Sequence, residues 1–141
     1  MVDLITFGNF EGVCMSFGLK WESDGVVKKF TAVVSDEDFI AATTDVQNHP
    51  DFSGIWFVIN DLSDVNSFEV SPQTIEAYFS SVANAYRAND KIKISFVSQD
   101  SLIEERINRF ILANPLPYRS RVFKSINEAR NWCKGLKSKN L

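Results

Sequence analysis

Hydrophobic and polar positions alternate without a break from Val13 to Trp21. Val13, Met15, Phe17, Leu19 and Trp21 fall on one side, and Cys14, Ser16, Gly18 and Lys20 on the other. A period of two over such a stretch predicts a half-buried strand. Leu4-Ile5-Thr6-Phe7 predicts a partner strand before it, joined through Asn9-Phe10-Glu11-Gly12. Glu22-Ser23-Asp24-Gly25 ends in Asp-Gly, a strong hairpin signal, and a third strand follows over Val26–Val34. These three strands should form an antiparallel meander.

The period then changes. Ser35 reads as a helix N-cap, with Asp36, Glu37 and Asp38 in the first turn, where the helix dipole favours acids. Phe39, Ile40, Thr43 and Val46 give that helix an inward stripe. Gly54 to Ile59 is a short apolar run after a turn and predicts a central strand covered on both faces. Ser71-Pro72 starts a second helix, with Ile75, Phe79, Val82 and Tyr86 on one face. Ile92–Val97 is the next strand. Leu102–Ala113 is the next helix, with Glu104, Glu105, Arg106 and Arg109 mostly outward, and Asn114-Pro115-Leu116-Pro117 stops it. Tyr118–Phe123 predicts a last strand. Ser125-x-x-Glu128 is a capping box opening a final helix, with Ala129, Trp132, Cys133 and Leu136 as its buried stripe.

The order is therefore an N-terminal β-hairpin or meander followed by four βα units. It predicts an α/β fold with one mixed sheet: a parallel core and an antiparallel edge. No linker, repeat or low-complexity segment divides the chain, so residues 1–141 read as a single domain.

Local motifs extend this order to a family resemblance. Phe30 to Phe39 resembles the strand and helix start of SpoIIAA-like domains, the group that includes the STAS anti-sigma-factor antagonists and Sec14-like lipid-binding relatives. Trp56-Phe57-Val58-Ile59-Asn60-Asp61-Leu62-Ser63-Asp64-Val65 resembles their central strand, which ends in Asp-Leu-Ser-x-Val. Val122 to Ala129, followed by Trp132, resembles the ending of small SpoIIAA-like bacterial proteins. The resemblance covers the chain from about Val26 onward. It implies a SpoIIAA-like fold and a regulatory domain that acts by binding another protein. One departure matters. STAS antagonists carry Asp-Ser-Ser-Gly-Leu after the strand, with a serine that accepts phosphate; here those places are Glu69-Val70-Ser71-Pro72-Gln73, and Val70 stands at the acceptor. If a trace of the switch survives, the resemblance implies Ser71 as the phosphorylation site and Ser67 after it.

Composition narrows the chemistry. The chain has 141 residues, 45% of them hydrophobic, enough for a sizeable core. A net charge of −3 argues against nucleic acid as a partner. No apolar run approaches about 18 residues, so no membrane span is expected. The start, Met1-Val2-Asp3-Leu4, lacks the pattern of a signal peptide, and a cytoplasmic location is expected. Cys14 and Cys133 stand far apart, outside any zinc-ligand spacing, and read as two small buried hydrophobes. His49, the single histidine, precedes Pro50 in a polar segment and reads as a surface or cap residue. There is no Walker loop, no G-x-G-x-x-G and no metal-ligand cluster. No catalytic residue, metal ligand or cofactor is therefore assigned, and the protein is expected not to be an enzyme.

The candidate site is the segment after the central strand, read as a loop at the carboxyl end of the sheet, where ligands and switches collect in open α/β folds. It holds Asp61, Ser63, Asp64, Ser67, Glu69 and Ser71. Asp61 and Asp64 are spaced as a general acid and base could be, with no nucleophile–base pair beside them. From Leu116 to Leu141 the chain carries a net +6, leaving −9 on the rest. That basic stretch could meet an acidic partner or a membrane surface. The 12 phenylalanines fall mostly on inward stripes and read as core, with an aromatic-lined cavity as the alternative. The expected function is a non-enzymatic, regulatory protein-binding domain with a partner of unknown identity. A homodimer contact could form through the apolar side of Val13–Trp21. The alternative is a carrier or sensor of a small hydrophobic or anionic ligand, as in a Sec14-like relative.

Overall fold

A computed structural model describes residues 5–10, 13–113 and 119–139, with side chains described over 17–113 and 120–135. In chain order the elements are β1 (Ile5–Phe10), β2 (Val13–Trp21), β3 (Gly25–Val34), α1 (Asp36–Gln47), a 3₁₀ turn (Phe52–Gly54), β4 (Phe57–Phe68), α2 (Pro72–Ala85), β5 (Lys93–Val97), α3 (Ser101–Ala113), β6 (Arg119–Phe123) and α4 (Ile126–Lys139). The meander and the four βα units of the sequence reading are all present.

The strands form one six-stranded sheet in sequential order. β1, β2 and β3 are antiparallel to one another, whereas β3, β4, β5 and β6 run parallel. Each step from β3 to β6 moves to the next neighbour in the same direction. Crossovers of one hand then leave α1, α2 and α3 on one face of the sheet. That face holds the larger core, in which Phe30, Phe39, Leu62, Ile75, Phe79, Ile103 and Ile107 are buried together. α4 follows the last strand and is not a crossover, so it folds back over the opposite face. There Ala129 and Cys133 pack on Val27, Phe57, Ile59 and Val97.

The run Phe57-Val58-Ile59 explains why β4 is central. Val58 points into the three-helix side and Phe57 and Ile59 into the α4 side. Phe17 and Leu19, two of the five residues offered for a dimer contact, are buried beneath the three-helix side of this same chain. The side chains of Val13 and Met15 lie outside the described residues.

Gly25 opens β3 opposite Phe57. A Cβ there would fall 2.5 Å from Cδ1 and Cε1 of the Phe57 ring. That ring is 3% exposed and held under α4, so it cannot swing aside. Gly25→Ala is expected to cost about 1–3 kcal/mol as overpacking, read as a lower urea midpoint with an unchanged slope.

Candidate functional site

The segment from Asp61 onward is not a loop. β4 continues to Phe68 beside β3, with Lys29 opposite Asp61, Thr31 opposite Asp64, Val33 opposite Ser67 and Val34 opposite Phe68. Two register shifts interrupt the ladder, each adding one residue on β4. A β-bulge moves the next side chain to the other face. The inward residues Leu62, Val65 and Phe68 are therefore spaced by three, not two. The strand signal is hidden in the sequence for that reason. Ala32, at φ 58°, takes up the bend opposite the second bulge.

The candidate residues divide into two clusters. The first surrounds Lys29. Its Nζ lies 2.8 Å from Asp64 Oδ2 and 3.4 Å from Asp61 Oδ2. Asp61 is buried, and its other oxygen, Oδ1, accepts from Ser63 Oγ at 2.5 Å and from the Ser63 N–H at 3.0 Å. Both Asp61 oxygens are thus engaged. Burial alone would lower the Lys29 pKa; the hydrogen bond to Asp64 and the two carboxylate charges outweigh it and hold the ammonium above its ordinary range. One cation shared by two carboxylates leaves the cluster with a net negative charge. His49 lies at the other end of the sheet, stacked on Trp21 at 3.8 Å, with Nδ1 accepting from the Asp51 N–H.

The second cluster is the turn from β4 into α2. Ser71 caps α2, its Oγ accepting from the Thr74 N–H at 3.2 Å. The Ser71 N–H donates to Asp36 Oδ1 of α1 at 2.7 Å. That donor holds the Asp36 carboxyl below the usual carboxylate range. Arg106 of α3 donates through both terminal nitrogens to the carbonyls of Phe68 and Val70. Its guanidinium also lies over the rings of Phe68 and Phe110. Ser67 Oγ donates to Glu69 Oε2 at 2.9 Å. Val70, at the family's acceptor place, is fully buried in the core.

Three helices therefore brace one turn. Two of the three contacts leave no direct sign in the sequence, where Arg106 falls on the outward side of its helix and the helix dipole alone accounts for Asp36. For Arg106 an indirect signal exists, since it sits one residue from the inward Ile107 and its length lets it fold back. Ser71→Ala is expected to cost about 1 kcal/mol, the value of a helix cap, with no change in overall secondary structure by circular dichroism.

Two of the C-terminal cations are engaged by carboxylates within the chain. Arg130 pairs with Glu22 through both terminal nitrogens, at 2.7 and 2.6 Å, and Lys124 meets Glu104 at 3.0 Å. Cys133 is buried and free, and desolvation pushes its thiol up to about 11, which keeps it unreactive near neutrality. The Cys14 side chain lies outside the described residues. Among the described residues, no group of three or more His, Cys, Asp or Glu could hold a metal ion. Among them, too, no helix is long and apolar enough to cross a membrane.

No protein-family model matches the chain, and no curated protein matches it. Two solved structures share its architecture. One is an uncharacterised protein of the DUF3478 family with a SpoIIAA-like fold from Shewanella loihica PV-4. It superposes with a TM-score of 0.53 at 14% identity, over 94% of this chain and 98% of that one. The other is the anti-sigma factor antagonist SpoIIAA in its unphosphorylated form. Its TM-score is 0.58 at 9% identity, over 84% of this chain and 98% of that one. The chain has a SpoIIAA-like fold.

Proposed function

We propose that the chain is a regulatory protein-binding domain whose docking surface lies around the braced turn between β4 and α2. The observation that carries this reading is the shallow depression beside that turn. It measures about 320 Å³ and is lined by Pro72, Leu102, Glu105, Arg106, Arg109 and Phe110. Leu102, on its rim, is 76% exposed. An exposed leucine beside an aromatic ring and two arginines fits a protein interface, where aromatic and arginine side chains are enriched. The hydrogen bonds from Asp36 and Arg106 hold the turn in one conformation, which lowers the entropy cost of docking. A likeness of fold to an anti-sigma factor antagonist supports the reading by analogy.

The reading requires no phosphate. Ser71, and after it Ser67, are the acceptors we assign to any phosphorylation of this surface. A dianion at Ser71 would keep the favourable helix end but press against Asp36.

The test is affinity capture from the native lysate with three baits: the wild-type chain, Leu102→Glu and Leu112→Glu. Leu112 is 82% exposed on the same helix, about 15 Å further along the axis. Both variants change exposed positions and should fold as the wild type does. One partner held by wild type and Leu112→Glu but lost by Leu102→Glu is the expected result. Equal retention by all three baits, or no retained protein, contradicts the assignment.

A further inference from the structure

α1 and α2 leave between them an apolar cleft of about 230 Å³ whose lining includes Phe39, Ile40, Thr43, Ala77, Tyr78 and Ser81. Directly beneath it lies Lys28 of β3, 2% exposed. The alternation Val26, Lys28, Phe30 sends this lysine toward the helices together with two core residues. Its Nζ donates to Thr43 Oγ1 at 3.3 Å and lies 5.6 and 5.5 Å from the ring centres of Phe39 and Tyr78. Thr43, Phe39 and Tyr78 therefore both wall the cleft and surround the ammonium. A second space of about 20 Å³ lies against the lysine itself. Among the described residues no carboxylate pairs with Lys28. Its register neighbour Asn60 is fully buried as well, with no hydrogen-bond partner for Oδ1 among the described residues.

A buried cation needs a counter-charge, and an apolar residue of similar size would be more stable at this place. The two rings and one hydroxyl compensate it only in part. An anion from outside the chain would complete the site. Its body would have to be apolar to fill the cleft, and at about 30 Å³ for each heavy atom the space takes about eight. We propose that the α1–α2 cleft binds a small amphipathic monocarboxylate, its apolar tail against Phe39, Ile40 and Ala77 and its carboxylate against Lys28 Nζ. The flexible four-carbon stem of the lysine lets the ammonium rise between the rings to meet the head group. The site uses none of the residues around the β4–α2 turn and stands independently of the protein-binding reading.

Burial also pushes the Lys28 pKa down to about 7. The residues lining the space against it from α1, α2, β4 and β5 contribute one other titratable group, the Tyr78 phenol. At pH 8 the free protein thus holds Lys28 mostly neutral, and a bound carboxylate would recharge it.

Titration calorimetry with octanoate and with octanol tests this at pH 8, in two buffers of different ionisation enthalpy. The wild type should bind octanoate at least about tenfold more tightly than octanol, the worth of one charged hydrogen bond, and should take up protons as it does so. Lys28→Met should lose that preference while octanol binding stays unchanged. Ala77→Phe, which fills the cleft from an exposed position, should abolish binding of both. Failure of the wild type to bind octanoate, equal binding by Lys28→Met, or binding without proton uptake would each overturn the proposal. Unaltered thermal unfolding of Ala77→Phe keeps its result interpretable.

Discussion

Phe39→Ala is expected to lower the unfolding free energy by about 3–5 kcal/mol, the range for a large buried aromatic. Phe39 is 1% exposed on α1 and joins four elements through its ring. It stacks on Phe30 of β3 at 5.9 Å, meets Phe68 of β4 edge-on at 5.9 Å and Tyr78 of α2 at 4.9 Å. Truncation removes three aromatic contacts at once and leaves a hole the neighbouring elements cannot close without breaking the sheet ladder. The same ring flanks the Lys28 ammonium. Water entering the hole would solvate that charge, so the loss should be smaller at pH 6 than at pH 10. Urea denaturation followed by circular dichroism at the two pH values measures both effects. A loss below about 1 kcal/mol, typical of a surface change, would remove Phe39 from the centre of the core.

Lys28→Met should move stability in the opposite direction. At pH 6 the variant is expected to be more stable than wild type by a few kcal/mol, because a buried ammonium without a counter-charge is replaced by an apolar chain. The pH dependence follows from the depressed pKa. Below pH 7 the lysine is charged in both states, and the folded state carries the full cost of burying it. Between about 7 and 10.5 the folded state releases the proton while the unfolded chain keeps it. The unfolded state then binds more protons, so wild-type stability rises with pH. The gap between variant and wild type should therefore close as pH climbs through that window. A difference that stays flat from pH 6 to pH 10 would mean that the ammonium is solvated or paired in solution.

The order of strands and helices was legible because each element keeps one period. β2 alternates throughout, and α2 starts at Ser71-Pro72 and keeps its stripe. β4 was legible only to Ile59, since the two bulges turn its later inward spacing from two to three. The sequence pattern at Ser63 and Asp64 is consequently that of a loop, although they sit on a strand. Arg106 and Asp36 were hidden for another reason. Each makes its key contact with a backbone group more than 30 residues away, and such contacts leave no local pattern. Lys28 did leave a trace: a lysine between Val26 and Phe30 at a spacing of two stands on the core side of a strand. Adjacent Lys29 masks it, because two consecutive lysines read as an exposed edge.

Hydrogen exchange of the chain, alone and with its captured partner, tests the docking assignment most directly. The account predicts slowed exchange at the amides around the β4–α2 turn and in the first turns of α2 and α3, with α4 unchanged. Protection confined to α4 or to the open side of β2, with the turn exchanging as in the free chain, would contradict it.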